Sequence, residues 1–229
     1  MLHKDMIIKV CGNAHPDNVE QVASLTPMLM GFIFHKGSPR SACGLDPEVV
    51  KSLPKFIRPV GVFVDATADE IIDTVNRYGI RIVQLHGNEK PALAHALRQR
   101  CLTVFKACGP DPEAADPWGG IADWAGAADM LILDTPCESH GGSGCKWDWS
   151  LLESYPYSTP YLISGGIGPD DIPAIISAMR EPMAGIDINS RFETSPGVKD
   201  LNLLIRFTTQ LRSLNEDEPT QIPFWEKVR

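Results

Sequence analysis

The chain has 229 residues, 43% of them hydrophobic and 22% charged, with a formal net charge of −8. This is the composition of a globular protein with a sizeable core. The acidic balance is spread along the chain and argues against nucleic acid or an anionic membrane as main partner, since both call for a basic face.

An anionic small molecule stays within reach, because a few placed cations and backbone N–H groups suffice for one phosphate. No apolar run approaches the roughly 18 residues of a membrane-spanning helix. The N-terminus, Met1-Leu2-His3-Lys4-Asp5, opens almost directly into a strand and lacks the apolar region and cleavage site of a signal peptide. The six cysteines, at 11, 43, 101, 108, 137 and 145, show no C-x-x-C pair and no disulfide-like framework. Zinc would need Cys137, His140 and Cys145 to converge from one glycine loop without a paired-ligand motif, so no metal is expected. A reduced, cytoplasmic protein is the expectation.

Taken in order, the chain repeats one unit. Apolar, β-branched runs predict strands at Met6–Cys11, Leu29–Phe34, Pro59–Val64, Ile80–Leu85, Leu102–Ala107, Met130–Asp134, Tyr161–Ser164 and Gly185–Ile188. Helical patterns with start signals lie between most of them. Pro16-Asp17 precedes Asn18–Leu25, Asp46-Pro47 precedes Glu48–Leu53, and Ala68-Asp69 precedes Glu70–Tyr78. Pro169-Asp170-Asp171 opens Ile172–Met179, and Asp200 opens an amphipathic segment ending near Leu214. Proline and glycine interrupt residues 111–127, and the stretch after Trp149 is no clearer.

Eight such units in a chain of this length make an α/β fold, a (β/α)8 TIM barrel near the lower size limit, as a single domain over residues 1–214. An open doubly wound sheet usually has fewer strands and often a glycine fingerprint after the first, which Cys11-Gly12-Asn13 is not. Residues 215–229 are too polar and proline-broken for a further unit and are expected to form a tail.

Barrels of this kind carry their active sites at the C-terminal ends of the strands. Cys11, His86, Asp134, Gly165-Gly166 and Asp187 to Arg191 stand there, with Arg40 in the loop after the second strand. Residues two apart share a strand face. Lys9 goes with Cys11, Gln84 with His86, Met130 and Ile132 with Asp134, and Asp187 with Asn189. Their alternating neighbours are apolar, so a polar set collects on one face.

Each candidate has a plainer reading. A lone strand-end cysteine is commonly a small buried hydrophobe, but here Lys9 shares its face and would lower its pKa toward a thiolate. A strand-end aspartate often caps the next helix, yet Thr135 and the glycine loop at 141–144 follow Asp134. His86 also reads as a satisfied core histidine. Asp65 fits a helix-capping or structural role and stays outside the site. Ser164-Gly165-Gly166-Ile167-Gly168 and Asn189-Ser190-Arg191 follow strands seven and eight, where barrels commonly bind phosphate on backbone N–H groups. Arg191 would add a charge-assisted contact, and Pro169 suits the first turn of the helix that follows.

Lys9-Val10-Cys11-Gly12, Gly31-Phe32-Ile33-Phe34, Ser38-Pro39-Arg40, Val83-Gln84-Leu85-His86-Gly87, Leu133-Asp134-Thr135 with Gly-Gly-Ser-Gly and Trp147-Asp148-Trp149, Ser164-Gly165-Gly166-Ile167 and Pro196-Gly197-Val198-Lys199-Asp200 together resemble the phosphoribosylanthranilate isomerase family. The motifs run in order from about residue 6 to 212. The resemblance implies a cofactor-free Amadori rearrangement in tryptophan biosynthesis, with a phosphosugar as substrate and a monomer or homodimer as the working unit. It casts Cys11 as general base and Asp134 as general acid. Arg40 would hold the anthranilate carboxylate, and Asp187 would sit near the amine or sugar hydroxyls. Gly165, Gly166 and the turn with Ser190 would take the phosphate, and His86 matches a family position without an assigned role. Where the family often has Ser-Gly after strand eight, this chain has Ser190-Arg191, which leaves the phosphate contacts open. Two other readings stand beside it. One is a different phosphosugar barrel such as indole-glycerol-phosphate synthase, which relies on catalytic lysines at strand ends. The other is a barrel that only binds a sugar phosphate.

Overall fold

The computed structural model describes residues 6–135 and 146–213. Eight parallel strands close into a barrel in sequence order, and the last pairs with the first. They are β1 (Ile7–Val10), β2 (Leu29–Ile33), β3 (Arg58–Phe63), β4 (Ile82–Leu85), β5 (Thr103–Cys108), β6 (Met130–Leu133), β7 (Tyr161–Ile163) and β8 (Met183–Ile188). Helices α1 (Pro16–Ser24), α2 (Pro47–Lys51), α3 (Ala68–Tyr78), α4 (Pro91–Arg98), α5 (Ile172–Ala178) and α6 (Leu201–Ser213) pack outside. A small antiparallel hairpin of β9 (Glu193–Ser195) and β10 (Val198–Lys199) follows β8.

Every expected strand is present, and the local signals explain the helix ends. Thr67 and Glu70 form a reciprocal capping box at the start of α3, and Gly79 at φ +70 closes it in the left-handed conformation. Asp46 caps α2 and Asp200 caps α6. After β5 and β6 the described residues form only short 3-10 turns, at Gly119–Trp124 and Trp149–Ser154. Pro117 and Gly119-Gly120 break the first, and Trp118, Ile121 and Trp124 still cover the barrel there.

Four features depart from the sequence reading. Helix α4 and the β9–β10 hairpin were not anticipated. The first turn of α5 holds Pro173 rather than Pro169, because the helix begins only at Ile172. Asp65 does not cap α3; it sits at φ +52, receives the Asn88 N–H on Oδ1 at 2.6 Å and ties the two neighbouring loops together. The glycine loop at 141–144, the zinc candidates Cys137, His140 and Cys145, and the 215–229 tail lie outside the described residues.

Two cores result from strand alternation. Ile8, Val10, Met30, Phe32, Val83, Leu85, Leu131, Leu133, Ile186 and Ile188 meet the helices, which present Val19, Val22, Ile71, Val75, Leu97, Ile175, Leu204 and Phe207. Inside the barrel, Ile7, Leu29, Val60, Ile82, Phe105, Met130, Ile132 and Leu162 fill the lower layers. Above them the interior turns polar, with Lys9, Gln84 and Asp187 all buried. The β1–β8 register sets Lys9 opposite Asp187, and an ion pair of 2.7 Å closes between them.

Candidate active site

A cavity of about 400 Å³ opens at the C-terminal mouth of the barrel. Cys11, Arg40, His86, Asp134, Gly165, Gly166, Asp187 and Ser190 all line it, and Gln84, Ser164 and Asn189 join them. Arg191 stands apart from this lining. It is exposed, and its Cβ lies 3.8 Å from where a Cβ on Gly168 would be, so it flanks the glycine turn after β7.

Cys11 follows directly on β1 and is 5% exposed. The sequence suggested that Lys9 would ease it toward a thiolate; Lys9 does pull that way, but burial outweighs it. Burial pushes the thiol up, and the nearby Asp187 adds to that push against the pull of Lys9 and Lys199. Lys9 itself, whose ammonium burial alone would disfavour, is kept charged by Asp187 and Cys11 beside it. Most of the positive charge that the sequence offered to Cys11 is therefore shared with a carboxylate. Burial also pushes the Asp187 carboxyl up, opposed by Lys9. Asp187 Oδ1 is buried and has no hydrogen-bond partner among the described residues, although its other oxygen is held. An orphaned carboxylate oxygen is costly in a finished core. In a cavity wall it is an acceptor ready for a ligand.

Asp134 ends β6 on the other side of the mouth. Its Oδ1 receives the Thr135 N–H at 2.8 Å, and its Oδ2 lies 3.4 Å from His86 Nε2. The amide nitrogen of Gln84 stands 3.1 Å from His86 Nδ1 and donates to it. Nδ1 is thus an acceptor, which leaves the ring proton on Nε2, aimed at Asp134. Trp147 Nε1 donates to the Ser164 carbonyl at 3.1 Å and so seats the returning end of the β6–β7 connection on β7.

Gly165 and Gly166 follow β7 at φ +88 and +64, a backbone that glycine adopts without strain. A Cβ on Gly165 would run into Thr135 and Asp134. Among the described residues nothing accepts from the N–H of Gly165 or Gly166, whereas the Gly168 N–H is taken by Asp171 Oδ2 at 2.7 Å. The Gly165 and Gly166 N–H groups belong to the same cavity wall as Ser190 and are donors of the kind that suits an anion.

Arg40 comes from the loop after β2. Its guanidinium lies against Glu193, with Nε at 3.0 and 2.9 Å from the two carboxylate oxygens and Nη2 at 2.8 Å from Oε2. Lys199 Nζ reaches both Glu193 Oε1 and Asn189 Oδ1 at 2.7 Å. Sequence reasoning had no role for Glu193 or Lys199. Their only signal was the Pro-Gly-Val-Lys-Asp motif just after strand eight.

The mouth of this barrel thus gathers a thiol, two carboxylates, an imidazole and two glycine N–H groups in one cavity, the arrangement expected of a (β/α)8-barrel enzyme. A family model described as N-(5'phosphoribosyl)anthranilate (PRA) isomerase matches residues 8–210. The N-(5'-phosphoribosyl)anthranilate isomerase of Parabacteroides distasonis is 39% identical over 209 residues, covering 90% of this chain and 93% of that one. Its counterpart from Phocaeicola vulgatus is 35% identical over 207 residues, covering 90% and 98%. The crystal structure of phosphoribosyl anthranilate isomerase from Thermotoga maritima superposes with a TM-score of 0.80 at 27% identity, over 91% of this chain and 99% of that one. A phosphoribosyl anthranilate isomerase in complex with reduced 1-(o-carboxyphenylamino)-1-deoxyribulose 5-phosphate superposes at 0.77 and 25% identity, over 91% and 99%. The chain belongs to the N-(5'-phosphoribosyl)anthranilate isomerase family, and its activity is the isomerase step of tryptophan biosynthesis.

Proposed function

We propose that the chain rearranges N-(5'-phosphoribosyl)anthranilate to 1-(2-carboxyphenylamino)-1-deoxyribulose 5-phosphate with Asp134 as general acid and Cys11 as general base. The observation that carries this assignment is that the Cys11 thiol, just after β1, and the Asp134 carboxylate, just after β6, stand in the wall of a single cavity. Asp134 gives its proton to the furanose oxygen as the ring C1–O bond breaks and the amine nitrogen forms an imine to C1. The Cys11 thiolate takes the C2 proton; the C2–H electrons become a C1=C2 bond and the imine pair returns to nitrogen. The resulting enolamine gains a proton at C1 and loses that of the C2 hydroxyl, which leaves the ketone. Protons balance throughout, so the reaction calls for no cofactor. A placed acid or base is each worth about 10²–10⁴-fold in rate.

The remaining groups bind and position. Arg40 takes the anthranilate carboxylate through the donors that Glu193 leaves unused. Asp187 Oδ1 accepts from the amine or a sugar hydroxyl. The N–H groups of Gly165 and Gly166, with Ser190, hold the phosphate, and Arg191 contributes charge from its flank. His86 is a positioning residue; its Nε2–H steadies the carboxylate that Asp134 becomes after donating. Every one of these residues comes from one chain, so the site is complete in a monomer and in each half of a homodimer. A multiply charged phosphosugar does not cross a bilayer unaided, which favours the cytoplasm, where it would be made.

The test is turnover on phosphoribosylanthranilate generated in situ, followed by loss of its fluorescence, for wild type, Asp134→Asn and Cys11→Ala. Active wild type with both variants at least about 10²-fold slower is the expected result. A Cys11→Ala protein with near-normal turnover would remove the thiolate from the mechanism, and an active Asp134→Asn would move the acid elsewhere.

A further inference from the structure

We propose that Glu193 is the residue that aims Arg40, and through it sets the preference of the site for a ligand carrying a carboxylate. This rests on the reading of Arg40 as the carboxylate-binding group.

Glu193 opens β9 directly after the short 3-10 turn Ser190–Phe192, and its side chain is only 4% exposed. Both oxygens are committed. They bracket Arg40 Nε and meet Nη2, while Oε1 also accepts from Lys199 Nζ at 2.7 Å and from the Gly197 N–H at 3.1 Å. A carboxylate fixed by a backbone N–H and a buried ammonium cannot swing, so the guanidinium bound to it cannot swing either.

The geometry uses one edge of the guanidinium and spares the other. Nε and Nη2 are spent on Glu193, and no described residue accepts from Nη1. Arg40 lines the cavity, so the unspent donors belong to whatever fills it. Gly12 makes room for the stem. At φ +76, a Cβ there would stand 2.9 Å from Arg40 Cδ, and a larger residue would force the arginine aside.

Charge points the same way. Arg40 and Lys199 bring two positive charges to one carboxylate, which leaves one positive charge uncompensated at the cavity wall. A pair made only to tie the β9–β10 hairpin to the β2 loop would need one cation, and would leave no field for an anion. Two cations on one buried acid make a rigid arm that still attracts a carboxylate.

The experiment compares two ligands on the full-length protein, the reduced product analogue with its ring carboxylate and the same compound made from aniline. Dissociation constants are measured for wild type, Arg40→Ala and Glu193→Gln, with Glu193→Asp as a charge-keeping control. Glu193→Gln should weaken the carboxylate ligand by about tenfold or more and the aniline ligand by less than about threefold. Adding Arg40→Ala to Glu193→Gln should cost little more, because both act on one contact. Glu193→Asp, which keeps the charge, should recover part of the loss. If Arg40→Ala shows no selective loss, the reading of Arg40 itself fails. If Arg40→Ala loses selectivity while Glu193→Gln keeps it, or weakens both ligands equally, Glu193 is only a strap and the proposal is overturned. Should Glu193→Gln not fold, the same comparison with Glu193→Ala decides, since a site that keeps full selectivity without the acid also overturns it.

Discussion

Lys9 Nζ stands 2.7 Å from Asp187 Oδ2 at the floor of the cavity, with both side chains withdrawn from water. The pair comes from strands at opposite ends of the chain and exists because the barrel closes β8 onto β1 in the register that sets Lys9 opposite Asp187. Its position beneath Cys11 makes it more than a structural tie. Beside burial, the charge the pair presents upward bears on how readily the thiol ionises.

Opposite shifts of the pH profile are therefore expected from the two halves of the pair. Burial lifts the Cys11 thiol, Asp187 lifts it further, and Lys9 and Lys199 pull it down. With Cys11 as the proposed base the thiolate is the active form, and kcat/KM of the wild type should climb on the alkaline side of neutrality. Asp187→Asn removes an anion and should move that limb to lower pH, even as the maximal rate falls. Lys9→Met removes a cation and should move it to higher pH, with a stability loss of about 3–5 kcal/mol from the unpaired buried carboxylate. Limbs that move together, or not at all, would show that Cys11 is not the group whose ionisation is being read.

Gly165 packs so closely against Asp134 and Thr135 that no room is left for a methyl group. A Cβ there would sit 2.8 Å from the Thr135 nitrogen and 2.9 Å from Asp134 Oδ1, and it would overlap Thr135 Oγ1. With φ at +88 an alanine adds backbone strain of about 1–3 kcal/mol. Gly165→Ala is expected to lower kcat by tenfold or more, because it shifts Asp134, the proposed proton donor. Steady-state kinetics distinguish this from a pure phosphate effect, in which KM would rise with kcat kept.

The fold was legible because its signals are local and repeated. Apolar strands, proline and aspartate at helix starts, and alternation within each strand all act over a few residues. That alternation also placed Cys11, His86, Asp134 and Asp187 on one interior face before any coordinates. What escaped the sequence depends on distant partners. Arg40 and Glu193 are 153 positions apart, so nothing near either one announces the other. The Cys11 thiol is pushed up first by burial, which no motif displays, and then by a distant carboxylate. Lys9, two residues away, was visible, but Asp187, 178 positions from Lys9, was not seen to share its charge. The β9–β10 hairpin is too short to show a period.

Acid stability should register the buried Glu193 cluster independently of catalysis. Burial alone would raise this carboxyl, but Arg40 and Lys199 outweigh it and hold the group below its ordinary value of about 4.5. A group depressed on folding contributes stability that is complete above its unfolded pKa and disappears as the pH falls through the folded one. Wild type should therefore melt above Glu193→Gln at pH 7, and the gap should begin to close only below about pH 4.5, as the native carboxyl takes up its proton. Thermal melts at pH 7 and at successive points below pH 4.5 give the answer. A gap of unchanged size across that range would mean that glutamine disturbs packing at this site, and that the ionic contacts of Glu193 with Arg40 and Lys199 add nothing to the stability of the native barrel.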